Sequence, residues 1–189
     1  MRTLGYTPRE VAAMSGTRLS VVQKAITSRR IPARTVRRTR RRRLDATALL
    51  AFALVRSLPR ELRLTPGAAY RLLKQARDER EASMISIGEL VRIDTGTALA
   101  DVRRRMALYD HARERIVSDP DIMGGMPTVR GTRITAQSLQ GRIVAGDSIA
   151  SILEDYPYLD RDTVEGAAVY AEANPSRGRP PGKPWRRAS

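Results

Sequence analysis

Thr7-Pro8-Arg9-Glu10-Val11-Ala12-Ala13-Met14-Ser15-Gly16 opens a stretch that runs through Leu19-Ser20-Val21-Val22-Gln23-Lys24-Ala25-Ile26-Thr27 to Arg29-Arg30-Ile31-Pro32-Ala33-Arg34-Thr35-Val36-Arg37-Arg38-Thr39-Arg40-Arg41-Arg42-Arg43-Leu44-Asp45. Thr7 and Glu10 are spaced as a capping box with proline in the first turn, which predicts a helix to about Met14, stopping near Gly16. Val11 and Ala12 face inward in this reading. Leu19, Val22 and Ile26 recur at helical spacing and predict a second helix over 19–27, with Ser20, Gln23 and Lys24 on its other face. Two short helices and a tight turn make a helix-turn-helix candidate. Ile31, Val36 and Leu44 can anchor two short strands, with the arginines between them in a charged hairpin, and Asp45 caps a further helix over 46–56.

The order helix, turn, helix, basic hairpin, helix resembles the winged helix-turn-helix of the MerR and excisionase type. The likeness covers Tyr6 to Leu54 and is carried by Thr7-Pro8, Glu10-Val11-Ala12, the Gly16 turn and Arg30-Ile31-Pro32. Arg18 is a departure, standing where that family usually has a Ser or Thr cap. The resemblance implies that the second helix, with Arg18 and Ser20 near its start, enters the major groove, where Gln23 pairs with adenine and Lys24 with guanine or phosphate. Arg29, Arg30, Arg34, Arg37, Arg38, Arg40, Arg41, Arg42 and Arg43 would then grip phosphate or an adjacent minor groove. An arginine run alone also fits a solvated linker.

The chain has 189 residues with 35 Lys+Arg against 20 Asp+Glu, a net charge of +15 that argues against an ordinary neutral enzyme. The length suits one or two small domains with modest cores. Cysteine is absent, which excludes disulfides, thiol nucleophiles and cysteine-based metal sites, and His111 is the one histidine. No metal or cofactor is expected. The start lacks the apolar core of a signal peptide and no apolar run approaches a membrane span, so a cytoplasmic protein is expected.

Charge segregates along the chain. Residues 1–60 carry 15 basic and 2 acidic side chains, 61–117 carry 11 and 9, 118–174 carry 4 and 9, and 175–189 carry 5 and none. Separate parts with separate partners would explain this, since a basic front suits phosphates and an acidic region repels them. Lys24, Lys74 and Lys183 are the only lysines, so arginine-rich codon usage inflates the count and position matters more than the total.

Residues 65–117 read as an α/β spacer. Thr65-Pro66 opens a helix to about Glu81, with Tyr70, Leu73 and Ala76 on one face. Ile85, Ile87, Leu90, Val91 and Ile93 predict a hairpin turning near Gly88. A long helix over 97–117 carries Leu99, Val102, Met106, Tyr109 and Ile116 at 3 and 4 spacings, either a homodimer seam or a stripe packed on its own domain.

The most distinctive run is Ser118-Asp119-Pro120-Asp121-Ile122-Met123-Gly124-Gly125-Met126-Pro127-Thr128-Val129-Arg130-Gly131-Thr132-Arg133-Ile134, with Val129 and Ile134 flanking a turn at Gly131. Three short helices are expected after it, over 136–145, 148–155 and 160–173, with Leu139, Ile143, Ile149, Ile152, Leu153, Val164 and Ala168 in one small core. Arg133 stands where a Walker loop needs its lysine, so the glycines are no phosphate loop. Asp119, Asp121, Glu154 and Asp155 lack the histidine or separated acid/base pattern of an active site, and no enzyme is expected.

This run, together with Ala145-Gly146-Asp147-Ser148 and Glu154-Asp155-Tyr156-Pro157, closely resembles the small helical domain called domain of unknown function 433, over about residues 116–173. The resemblance implies a VapB-type antitoxin paired with a PIN-like nuclease toxin, with Gly124, Gly125, Pro127, Gly131, Thr132, Arg133 and Ile134 mostly determining the fold.

Residues 175–189 hold no acid, four prolines and two glycines, a composition for a disordered tail. Trp185 is the chain's one tryptophan and suits an anchor that orders on binding. Given a PIN-like toxin with clustered carboxylates, Arg177, Arg179, Lys183, Trp185, Arg186 and Arg187 would occupy its acidic cleft. Arg177-Gly178-Arg179-Pro180 also resembles an AT-hook, which would place the tail in a minor groove. The expectation is a mainly α protein: winged helix-turn-helix (1–57), spacer (65–117), three-helix domain with a short β-hairpin (118–174) and flexible basic tail. Its expected function is that of a type II antitoxin that binds double-stranded operator DNA, represses its own operon and neutralises a PIN-like ribonuclease. The alternative is a stand-alone transcription regulator.

Overall fold

The computed structural model describes residues 5–36, 41–59, 61–62, 64–75, 83–89 and 91–175. The chain is mainly helical. In order, the described elements are α1 (Pro8–Ser15), α2 (Leu19–Thr27), β1 (Arg34–Val36), β2 (Arg41–Arg43), α3 (Ala46–Ser57), α4 (Pro66–Gln75), β3 (Met84–Ile87), β4 (Val91–Asp94), α5 (Thr95–Arg115), β5 (Ile116–Val117), β6 (Thr128–Val129), α6 (Ala136–Ala145), α7 (Ile149–Asp155) and α8 (Arg161–Ala173). The strands form three antiparallel pairs, β1-β2, β3-β4 and β5-β6. Among the described residues no helix is long and apolar enough to cross a membrane.

Short polar side chains set most helix ends. Glu10 N–H donates to Thr7 Oγ1 at 3.2 Å while Thr7 N–H donates to Glu10 Oε2 at 2.8 Å, closing the capping box of α1. Gly16 ends α1 at φ 64°, a left-handed conformation that glycine takes without steric cost. Asp45, Asp94, Thr135, Ser148 and Asp160 cap α3, α5, α6, α7 and α8. The Asp94 cap starts the long helix at Thr95, two residues before the Thr97 expected from sequence.

Three apolar cores hold these elements. The first gathers Tyr6, Val11, Met14, Val22, Ile26, Ile31, Leu44, Leu49 and Phe52 from the first 57 residues, together with Tyr109 of α5 and Val169 and Ala173 of α8. The second holds Ile116, Val129, Leu139, Ile152, Val164 and Ala167, and the third Leu54, Ala69, Leu73, Ile85, Ile93 and Leu99. Helix α5 reaches all three. Leu99 belongs to the third core, Tyr109 to the first and Ala112 to the second, while Val102 and Met106 pack against the first; Ile116, expected in the helix, stands in β5 and joins the second core. Of the two readings of this stripe, a dimer seam or a contact within the chain, the fold shows the second: α3, α8 and the β-pairs pack against it, which removes its apolar surface from water without association entropy. Helix α8 likewise serves two cores, so packing runs across the division read near residue 117.

Two strand readings shift. Val36 is exposed, and the hairpin is anchored by Ile31 and Leu44, each 1% exposed. Tyr6 and Leu44 exchange both backbone hydrogen bonds at 2.8 Å, tying the base of β2 to the entrance of α1. Residues 128–129 pair with 116–117 as β5-β6, and their link back across Gly131 is a single bridge from Thr128 to Thr135.

The acidic stretch is largely neutralised by arginines. Arg104 and Arg105 of α5 reach Glu165 and Glu172 of α8 at 2.6 Å, Arg115 meets Asp160 at 3.2 Å, and Arg142 holds Asp147 and Asp155. The bare acidic face expected from its composition is thus mostly occupied. Hydrogen bonds from Thr163 hold the Asp160 carboxyl below its ordinary range, with Arg115 adding to the effect. A depressed folded pKa contributes stability above the unfolded value, near 3.9, that is lost as pH falls through the folded value. Asp160→Asn should therefore show a smaller difference in thermal midpoint between about pH 6 and pH 3 than the parent chain. An unchanged difference would show that the Asp160 charge contributes nothing to the cap.

Candidate nucleic-acid interface

Helix α2 divides cleanly into two faces. Val22, Ala25 and Ile26 are buried, and Ser20, Val21, Gln23, Lys24 and Thr27 are exposed. Gln23 and Lys24 thus lie where the periodicity placed them. Val21, 42% exposed, and Thr27 each lie one turn from Lys24 on the exposed side, and neither is singled out by the sequence reading. The signal was available: position 21 lies one residue from buried Val22, off the 19-22-26 stripe. An exposed valine one turn before Lys24 offers a methyl-sized apolar contact.

Arg18 occupies the N-cap of α2 and makes no side-chain capping bond. The first N–H groups of the helix are left to solvent or to an anion. At the other end Arg29 takes φ 54°, a left-handed conformation that favours glycine, and costs an arginine roughly 1 kcal/mol. Its amide donates to Ile26 O at 3.1 Å and that of Arg30 to Ala25 O at 2.9 Å, so the turn is a helix cap built with a cation in the glycine position.

The hairpin pairs Arg34 with Arg43, Thr35 with Arg42 and Val36 with Arg41. Directly opposed residues share a sheet face, so Arg34, Arg41 and Arg43 lie on one side with Val36, and Arg42 lies on the other with Thr35. Arg43 is drawn inward. Its Nη1 donates to Glu10 Oε2 at 3.3 Å and to Gly5 O at 3.2 Å, and Glu10 is itself only 6% exposed. That geometry removes Arg43 from the DNA contacts expected of it, since a half-buried guanidinium with a buried carboxylate partner belongs to the fold. Arg37, Arg38 and Arg40 lie outside the described residues, as do Arg177, Arg179, Lys183, Trp185, Arg186 and Arg187.

The remaining cations stand apart from the rest of the chain. Arg18, Lys24, Arg29, Arg30, Arg34, Arg41 and Arg42 are exposed and form no ion pair among the described residues. The arginines of α5 and of the C-terminal helices, in contrast, mostly meet carboxylates. Unpaired charge clustered within about 25 residues repels itself and gains most from an external polyanion. Among the described residues no group of three or more His, Asp or Glu side chains is placed to hold a metal.

The part carrying these cations is bound to the C-terminal helices through a tyrosine stack. Tyr6 and Tyr109 have ring centroids 6.2 Å apart, and Tyr109 stacks on Tyr170 at 5.8 Å. Tyr6 Oη donates to Asp110 Oδ2 at 2.7 Å, and Asn174 Nδ2, at the end of α8, donates to Tyr109 Oη at 3.1 Å. Burial pushes all three phenols up, and all three stay protonated at neutral pH.

The uncharacterized protein y4eO of Sinorhizobium fredii (strain NBRC 101917 / NGR234) is 41% identical over 91 residues, 48% of this chain. The match spans 41% of the length of that relative. No solved structure matches the chain. Residues 116–171, running from β5 through most of α8, match the family described as "Protein of unknown function (DUF433)", and the second core with its three helices is the part of this chain similar to that family.

Proposed function

We propose that the chain is a DNA-binding antitoxin. In this reading α1 and α2 act as a helix-turn-helix with β1-β2 as its wing. The outer face of α2 lies in the major groove of an operator, with Gln23 and Lys24 toward base edges and Val21 toward a thymine methyl. Arg18, Arg29, Arg30, Arg41 and Arg42 take phosphates and fix the register. The C-terminal helices and the basic tail neutralise a PIN-like nuclease, and the complex represses its own operon. The observation that carries the reading is the clustering of exposed cations without an ion pair among the described residues, Arg18, Lys24, Arg29, Arg30, Arg34, Arg41 and Arg42, on α2, the turn after it and the hairpin.

A titration of the full chain against the duplex upstream of its own gene, followed by fluorescence anisotropy over roughly 50 to 300 mM salt, tests the DNA half. About five phosphate contacts predict a slope of log K against log salt near −4.5. A slope near zero would sink it. Ribonuclease assays of a PIN-like nuclease encoded beside the gene test the other half: inhibition by the chain supports the antitoxin. Operator binding without inhibition leaves a stand-alone regulator.

A further inference from the structure

Helix α4 is pinned to the start of α3 at one point. Tyr70 Oη donates to Asp45 Oδ2 at 3.0 Å, and Lys74 Nζ lies 3.7 Å from the same oxygen. Asp45 Oδ1 meanwhile accepts from Ala48 N at 2.8 Å. One carboxylate thus caps α3 and ties α4 to its start, beside a cleft of about 710 Å³ lined by the strands and the two helices. Such a volume is in the range of small-molecule sites and far above the voids a packed interior tolerates.

Pro32, Val36 and Ala46 give the cleft apolar walls. Its cations differ in their freedom. Arg43 is held by Glu10 and Lys74 by Asp45, whereas Arg34 has no counter-ion among the described residues. Tyr70 is committed as a donor to Asp45, and burial and that bond push its hydroxyl up to about 12. One free guanidinium therefore faces an apolar recess that also contains a carboxylate. An arginine fork pairs with a carboxylate in two parallel bonds, and the Asp45 charge disfavours a second negative charge on the guest.

We propose that this cleft is a binding site for a small monocarboxylate with an apolar body, its carboxylate on Arg34 and its body against Pro32 and Val36. The guest bridges the hairpin to α4. Binding does not depend on the DNA reading.

Isothermal titration of the full chain with 2-naphthoate at low salt tests the site. The expected result is saturable one-to-one binding with a dissociation constant on the order of 1 mM or tighter. Arg34→Gln should weaken it at least tenfold, and the neutral 2-naphthamide should bind at least tenfold more weakly than the acid. Arg42→Gln, on the opposite face of the hairpin, should bind 2-naphthoate as the parent does. Inorganic phosphate should give no saturable heat. No saturation, equal binding by Arg34→Gln, an equal loss in Arg42→Gln, or phosphate binding as tightly as naphthoate would each overturn the proposal.

Discussion

Gly166→Val is expected to destabilise the chain by about 3 kcal/mol, a fall in Tm of roughly 6–12 °C. Gly166 lies where α8 crosses α5, and a Cβ there would sit 2.7 Å from the Leu108 carbonyl oxygen and 3.2 Å from Ala112 Cβ. The carbonyl is helix backbone and cannot rotate aside, so the two helices would have to part. Parting them strains the Arg104–Glu165 and Arg105–Glu172 bridges on either side and opens the second core at Val164 and Ala167. Gly141, inside α6, is the internal control. It is exposed and no atom lies within 4 Å of a Cβ there, so Gly141→Ala should stabilise by about 0.5–1 kcal/mol through helix propensity alone. Thermal melts of the two variants in opposite directions would establish the crossing; a neutral Gly166→Val would mean that α5 and α8 do not approach this closely in solution.

The second large effect concerns DNA. Replacing Lys24, Arg29, Arg41 and Arg42 together by glutamine should weaken binding at about 0.1 M salt by at least 10²-fold and lower the salt slope by about 3, because each lost phosphate contact removes roughly 0.9 from it. Arg43 is left in place, since its removal would strand Glu10, a buried carboxylate, and unsettle the fold. Arg104→Gln with Arg105→Gln removes charge from residues already paired to Glu165 and Glu172, and should leave DNA affinity within about threefold. A loss per residue equal in both sets would attribute binding to net charge rather than to this surface.

Element boundaries were largely legible. Thr7-Pro8-Arg9-Glu10 marks the start of α1, Gly16 its end, and the 19–27 spacing the whole of α2. Gly146, Ser148 and Asp160 mark the limits of the last three helices equally well. Caps and turns depend on side chains three or four residues away, so the information lies within a short window of sequence. The exposed face of α2 was legible for the same reason, and Val21 was assigned to neither face because it is apolar yet off the 19-22-26 stripe.

Partners distant in the chain were not legible. Arg43 looked like one more arginine of a basic run until Glu10, 33 residues away, closed on it. The heptad-like stripe of α5 fits a dimer seam or an intramolecular contact equally well as a pattern, and α8, which begins at Arg161, 46 residues beyond the end of α5 at Arg115, is much of what covers it. The acidic count of 118–174 concealed arginines that α5 brings to Glu165, Glu172 and Asp160. Local sequence thus settled where most helices begin and end, because propensity and capping are local energies. Which charges remain free, which apolar faces are already buried and where a cleft is left open were decided by tertiary packing, because those energies depend on groups that meet only when the chain folds.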